Sequence, residues 1–212
     1  MADGSAGPVP PDRSTAQRPR RETDDQVSDD RRSRILDAAE GLVAEHGFDA
    51  TPTSRIAHVA GVPKGLVFYY FPRKIDLLLT LLQERLPAVP PCDLQDVVRE
   101  GDPARSLLRL DKRLGLGSHE SLVLRRIVFR EGNTHPEVRD YLRRLRQSLI
   151  ELTETVLDRA VSGRLDPRLR EEAARTFVAV MLDRANATRL GGAVPDLAGA
   201  ARVIGLAVQP AT

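Results

Sequence analysis

Hydroxyl and ammonium groups that can donate hydrogen bonds are concentrated in one stretch of the chain, residues 51 to 74. They belong to Thr53, Tyr69, Tyr70 and Lys74. Donors of this kind bond phosphate oxygens, which receive a large share of the hydrogen bonds that proteins make to DNA. The stretch therefore predicts a phosphate-contacting surface.

No arrangement of residues in the sequence predicts catalysis or metal binding. The adjacent carboxylates Glu171 and Glu172 fall on a charged helix face, and the four histidines have no partner at ligand spacing. The single cysteine, Cys92, cannot form an internal disulfide. We therefore predict no enzymatic activity, no metal and no cofactor. No run of residues approaches the roughly 20 apolar positions of a membrane span, and the reducing cytoplasm is the expected location.

Two short helices joined by a tight turn must position the donors. The first has Thr51 or Thr53 as its expected N-cap, and Gly61 supplies the left-handed residue that ends it. Pro63 is tolerated in the first turn of the second helix, which Pro72 closes. The apolar positions of the first helix are Ile56, Val59 and Ala60. The pattern predicts a helix-turn-helix.

This stretch resembles the signature of TetR-type transcriptional repressors. The chain reads G-V-P-K-G-L-V-F-Y-Y-F-P-R-K, where the family usually reads G-V-S-K-G-T-L-Y-x-Y-F-x-x-K. The resemblance extends back through R-I-L-D-A-A-E-G-L-V-A-E-H-G-F-D-A-T and forward through L-L-L-T-L-L, so it covers residues 31 to 86. It implies an all-α regulator that binds double-stranded DNA and a small-molecule effector.

The resemblance also implies which residues approach DNA. Lys64 and Gly65 stand where the family approaches base edges and phosphate. Pro63, Leu66 and Phe68 depart from the usual hydroxyl-bearing residues, which weakens the expected direct readout of bases. The expected DNA contacts are Thr53, Lys64, Gly65, Leu66, Tyr69, Tyr70 and Lys74.

The chain divides into a tail at residues 1–27, a DNA-binding head at 28–86 and a body at 87–212. The tail lacks apolar periodicity and is expected to be disordered. Its arginines are either solvated or part of an arm that follows DNA into the minor groove. The first helix is expected to begin after a cap at Ser28, Asp29 or Asp30 and to stop at Gly47.

Start and stop signals divide the body into helices, and no stretch alternates with the period of a strand. With the head, they predict an all-α fold of about nine to ten helices. In the head, Ile75 to Leu86 is apolar almost all round and should be clamped against the body. The predicted body helices begin at Asp102-Pro103, Ser118, the capping box Thr134 to Glu137, Asp166-Pro167 and Pro195-Asp196.

The long body helix after Pro136 carries a heptad seam. The seam could pack against the chain's own helices. The resemblance favours a second reading, because in the family the last two long helices of each subunit build a four-helix dimer interface. The predicted interface residues are Leu142, Leu145, Leu149, Leu152 and Val156.

The effector pocket is expected among the body helices and to have aliphatic walls, because the body contains few aromatic residues. Asp183, Arg184 and Asn186 interrupt an apolar run, and they either line this pocket or face a dimer partner. The candidate lining is Leu107, Ile127, Phe129, Phe177, Met181, Asp183 and Asn186.

Composition alone is neutral about function, since a net charge of +2 on 212 residues does not indicate nucleic acid. The motif carries the prediction: a homodimeric, ligand-responsive repressor released from a near-palindromic operator by a small molecule. The alternative is a helical protein-interaction module with weak or non-specific DNA binding, to which the substitutions at Pro63 and Leu66 point.

Overall fold

The computed structural model describes residues 19–85, 94–116, 130–190 and 193–209. All regular structure in these ranges is helical, which confirms the predicted all-α fold. The helix predicted from Ser118 to Gly132 lies largely outside the described residues, so eight helices are seen. They are α1 Pro19–His46, α2 Thr53–Ala60, α3 Lys64–Tyr70, α4 Lys74–Arg85, α5 Pro103–Leu114, α6 Pro136–Ala160, α7 Pro167–Leu190 and α8 Leu197–Val208.

The first helix is longer than predicted. It begins at Pro19, so the caps expected at Ser28, Asp29 or Asp30 are wrong and residues 19–27 are helical rather than a disordered tail. A contact that the sequence does not reveal helps to explain the extension, because the hydroxyl oxygens of Ser28 and Tyr70 lie 2.8 Å apart. Helix α1 still ends where expected, before Gly47 with its φ of +90°.

The head is built by α1 to α4 around one apolar core. Helix α4 matches its predicted range within one residue, and it buries four leucines against α1 and α6. Val138 and Tyr141 of α6 belong to the same core, so the body helix α6 reaches into the head. The fully buried large side chains of this core are Ile35, Leu36, Ile56, Leu77, Leu78, Leu81 and Leu82.

The body consists of α5 to α8, which pack around a second core. The predicted caps hold at three helix starts, where Asp102, Asp166 and Asp196 accept hydrogen bonds from backbone N–H groups of the first turn. The capping box is wrong: Thr134 donates to the carbonyl of Glu131 instead. Helix α6 nevertheless begins at Pro136, because proline is compatible with the first helical turn.

The heptad seam of α6 packs inside the chain. Leu149 and Val156 are completely buried in the body core. Leu142 packs on the head core, Leu152 on the body core and Leu145 on both. Neighbouring helices of the same chain therefore occupy the seam, which corrects its prediction as a dimer interface.

Tyr141 joins the two parts of the chain by donating its hydroxyl to the carbonyl of Leu82 in the last turn of α4, at 3.2 Å. We expect Tyr141→Phe to lower the free energy of unfolding by about 1 kcal/mol, because a buried carbonyl loses its donor. Urea denaturation measures the change. Tyr69→Phe, at an exposed hydroxyl, is the control, and equal midpoints for both variants would contradict the expectation.

The same tyrosine gives this experiment a pH signature. Burial raises the pKa of the Tyr141 phenol above its usual value of about 10. Because the unfolded chain then releases the proton first, the stability that depends on this group is present below the unfolded pKa and is lost as the pH rises through the folded pKa. The advantage of the wild type over Tyr141→Phe should therefore shrink above about pH 10.

Two further properties concern the described ranges only. None of their helices is long and apolar enough to cross a membrane. The same residues contain no cluster of His, Cys, Asp and Glu arranged to hold a metal ion.

Candidate nucleic-acid interface

The turn between α2 and α3 has the predicted geometry. Gly61 adopts φ +64° and ends α2, and the N–H of Val62 donates to the carbonyl of Ala57 at 3.0 Å. Arg34 of α1 holds the turn from below, with Nη2 2.5 Å from the carbonyl of Ala60. A Cβ added at Gly61 would lie 2.7 Å from that nitrogen, so the close approach requires glycine as well as the positive φ.

The start of α2 differs from the prediction. Thr51 is fully buried and donates its hydroxyl to the carbonyl of Gly47 at 2.7 Å, so it satisfies the end of α1 rather than capping α2. The N-cap of α2 is Pro52, and no side chain bonds there. Thr53 is the first helical residue and is half-buried. Its position at the positive end of the helix dipole remains compatible with a phosphate contact.

Helix α3 presents one face to solvent. Lys64 and Gly65 are exposed, Leu66 is half-buried, and the side chain of Tyr69 is 76% exposed. Nothing lies within 4 Å of the Cβ position at Gly65, so the backbone is open to an approaching molecule. Val67 is buried beneath this face and fixes α3 on the head core.

Two predicted contact residues already have partners within the head. Tyr70 is half-buried and donates its hydroxyl to the carbonyl of Ser28 at 3.1 Å. Lys74 donates its ammonium group to the carbonyl of Phe48 at 2.6 Å, and burial lowers its pKa. The structure corrects both assignments: these residues hold α3 and α4 in place. The expected division between a packed and a free tyrosine holds, with Tyr69 as the free one.

Arg73, at the start of α4, is engaged by a neighbouring carboxylate. Its Nε lies 3.1 Å from Oδ1 of Asp76, and this hydrogen bond lowers the pKa of the Asp76 carboxyl. Both groups are solvent-exposed, so the ion pair is screened by water and contributes little to stability. It orients the guanidinium along α4.

The candidate effector residues lie partly together in the body. Leu107 of α5 and Phe177 and Met181 of α7 are completely buried in the same core, whereas Asp183 is exposed. Ile127, Phe129 and the side chain of Asn186 lie outside the described residues. Sequence reasoning missed the polar pair beside this core, in which Arg184 donates to Oδ1 of Asp111 at 2.5 Å and links α7 to α5.

Comparison with known proteins gives the same architecture. Residues 35–81 match the family model described as bacterial regulatory proteins, tetR family. The fatty acid metabolism regulator protein of Bacillus subtilis (strain 168) is 26% identical over 153 residues, which cover 70% of this chain and 78% of that protein.

Solved structures agree with these matches. NalD of Pseudomonas aeruginosa, the secondary repressor of the MexAB-OprM multidrug efflux pump, superposes with a TM-score of 0.62 at 27% identity and covers 86% of this chain and 97% of its own. The multidrug binding protein EbrR, complexed with imidazole, superposes with a TM-score of 0.58 at 25% identity, over 86% of this chain and 92% of its own.

A compact three-helix head whose last helix faces solvent, carried on a separate helical body, defines a helix-turn-helix regulatory protein. The matched residues 35–81 span the greater part of that head, from α1 into α4. The chain belongs to the TetR family of bacterial regulatory proteins.

Proposed function

We propose that this chain is a ligand-responsive, DNA-binding transcriptional repressor that works as a homodimer in the cytoplasm. The single observation that carries the proposal is the open face of α3, which displays Lys64, Gly65 and Tyr69 on a head of the TetR family. A helix presented in this way fits the major groove of double-stranded DNA.

Each exposed residue of this face receives a role. Lys64 contacts phosphate or a base edge, and Tyr69 donates its hydroxyl to phosphate. Gly65 lets the backbone approach the groove, and Leu66 makes an apolar contact at its rim. The N–H and hydroxyl of Thr53 give a further phosphate contact from α2.

The dimer surface is assigned to α7 and α8. Val203 and Leu206 of α8 are 68% and 75% exposed, although the opposite face of the helix is buried in the body core. Helices α7 and α8 pack side by side, so two copies of the pair can form a four-helix interface about a twofold axis. Two heads held in this way would read a near-palindromic operator.

The effector is proposed to bind among α5, α6 and α7. Leu107, Phe177 and Met181 give this part of the body apolar walls, and the Asp111–Arg184 pair places polar groups beside them. Such a lining suits a largely apolar small molecule that carries a polar group. A thermal-shift screen of small molecules tests the assignment, with Met181→Ala as the variant that should lose the shift.

DNA binding is tested with the region upstream of the protein's own gene. We expect Lys64→Ala and Tyr69→Ala to keep the fold and weaken binding, each lowering the salt slope of log K by about 0.9 for one lost phosphate contact. Fluorescence anisotropy over a range of salt concentrations measures both quantities.

Lys112→Ala, at an exposed lysine of α5, is the control for the loss of a positive charge. Unchanged affinity and slope in both head variants would remove the contact assignment. Absence of binding by the wild type, even at low salt, would favour the protein-interaction module instead.

A further inference from the structure

The backbone of Phe48, directly after α1, is held from two sides. Its N–H donates to Oε1 of Glu131 at 2.9 Å, and its carbonyl accepts from the Lys74 ammonium at 2.6 Å. Glu131 precedes α6 and comes from the body, whereas Lys74 begins α4 in the head. Phe48 is therefore the point where both parts of the chain grip the connection between α1 and α2.

Further contacts surround this point. The ring of His135 packs edge-on against the ring of Phe48 at 4.9 Å. Its Nε2 lies 3.5 Å from Oε2 of Glu131 and 3.6 Å from Oδ1 of Asp49. The guanidinium of Arg130 fills the space beside Gly47, where an added Cβ would lie 2.4 Å from it. We call Phe48, Lys74, Glu131 and His135 the junction.

The junction favours one geometry because its polar groups are buried. Glu131 is only 3% exposed, and a buried carboxylate is tolerated when hydrogen bonds and opposite charges accompany it. A displacement of the segment from Arg130 to His135 would leave both the carboxylate and the N–H of Phe48 without their partner. Body and head should therefore move together here.

The position of Phe48 determines what such a movement does. It is followed by Thr51, which is anchored on the end of α1, and by α2, which carries the helix-turn-helix. Helix α4 provides another connection, since it packs against α6. The junction differs from it because it joins the body directly to the loop that precedes α2.

We propose that Glu131 is a positioning residue for DNA recognition, which sets the angle of the head on the body by holding the N–H of Phe48. The inference deepens the proposed function and rests on it. A body that shifts Glu131 would rotate α2 and α3 and change the separation of the two recognition helices in a dimer.

The test measures the head and body directly. Spin labels are placed at exposed His58 of α2 and exposed Lys112 of α5 in a Cys92→Ser background, with excess unlabelled protein so that one protomer of a dimer carries both. Glu131→Leu keeps the volume and removes the acceptor, whereas Glu131→Gln keeps an oxygen that accepts from Phe48. Thr153→Val is the control, because it alters a buried hydroxyl of the body that bonds only within α6.

We expect Glu131→Leu to broaden or shift the distance distribution and to weaken binding of the upstream DNA by at least about fivefold. Glu131→Gln should restore both, and Thr153→Val should leave the distance unchanged. A wild-type distribution in Glu131→Leu would overturn the proposal, as would equal defects in the Leu and Gln variants. Should Glu131→Leu not fold, Lys74→Met, which frees the Phe48 carbonyl, must broaden the distribution, and an unchanged distribution overturns the proposal.

The two proposals fail in different ways. If the wild type does not bind the upstream DNA, the repressor function is lost while the distance measurement still decides the role of Glu131. If the wild type binds and the distances do not respond, only the positioning role is lost.

Discussion

Leu206→Asp is expected to convert the dimer into folded monomers, whereas Leu149→Asp is expected to unfold the body. The two leucines are separated by their surroundings: Leu206 is 75% exposed on α8 and Leu149 is 1% exposed inside the body core. A carboxylate at position 206 is hydrated in the monomer and becomes unfavourable only when a second copy covers it. At position 149 it has no water in the folded state.

The expected magnitudes follow from these surroundings. Leu149→Asp should cost at least about 3 kcal/mol of unfolding free energy, since truncation of a buried leucine alone costs about 2 to 5 kcal/mol before the charge is counted. Leu206→Asp should leave the unfolding free energy of the monomer within about 0.5 kcal/mol of its original value.

Sedimentation at micromolar concentration and thermal unfolding distinguish the outcomes. Leu206→Met keeps the surface apolar and should remain dimeric. A dimer that persists in Leu206→Asp would place the interface elsewhere than α8. A folded Leu149→Asp with lost dimerisation would return the interface to the seam of α6.

Local signals explain what could be predicted from the sequence. The end of α2 at Gly61 and the starts of α5 and α8 after Asp102 and Asp196 were all predicted correctly. Each depends on residues within one helical turn: a left-handed glycine or a carboxylate that accepts from nearby N–H groups. Such interactions are contained in a few consecutive letters of the sequence.

The errors concern partners that are distant in the sequence. The heptad pattern around Leu149 states that one face of α6 must be covered, but it does not state whether the same chain or a second copy covers it. Likewise, Tyr70 and Lys74 are donors of the right type beside a recognition helix. Their partners, Ser28 and Phe48, lie 42 and 26 residues away, and no local pattern connects them.

The residues that were missed have the same explanation. Arg34 supports the turn at Ala60 across 26 positions, and Glu131 reaches Phe48 across 83. In the sequence both look like ordinary charged residues on helix surfaces. Their burial and their backbone partners become visible only when α1, α2 and the segment before α6 are brought together.

Gly65→Val is expected to remove most operator affinity without disturbing the fold. A Cβ at this position meets no atom of the protein within 4 Å, and glycine is a poorer helix former than valine, so α3 should be at least as stable as before. The branched side chain instead occupies the space through which the backbone approaches the base edges. Loss of such a contact costs about 1 to 3 kcal/mol, and a dimer loses it twice, which gives a decrease in affinity of more than about 30-fold.

Fluorescence anisotropy with the upstream DNA measures this loss, and thermal unfolding checks the fold of the same samples. Gly65→Ala is the matched variant, because its single methyl group should weaken binding less than valine. The salt slope adds a second criterion. It should change little in Gly65→Val, since no charged group is removed, whereas Lys64→Ala lowers it by about 0.9. Normal affinity in Gly65→Val would mean that α3 does not enter the groove with its N-terminal turn, and the assignment of Lys64 and Tyr69 to DNA would then have to be abandoned with it.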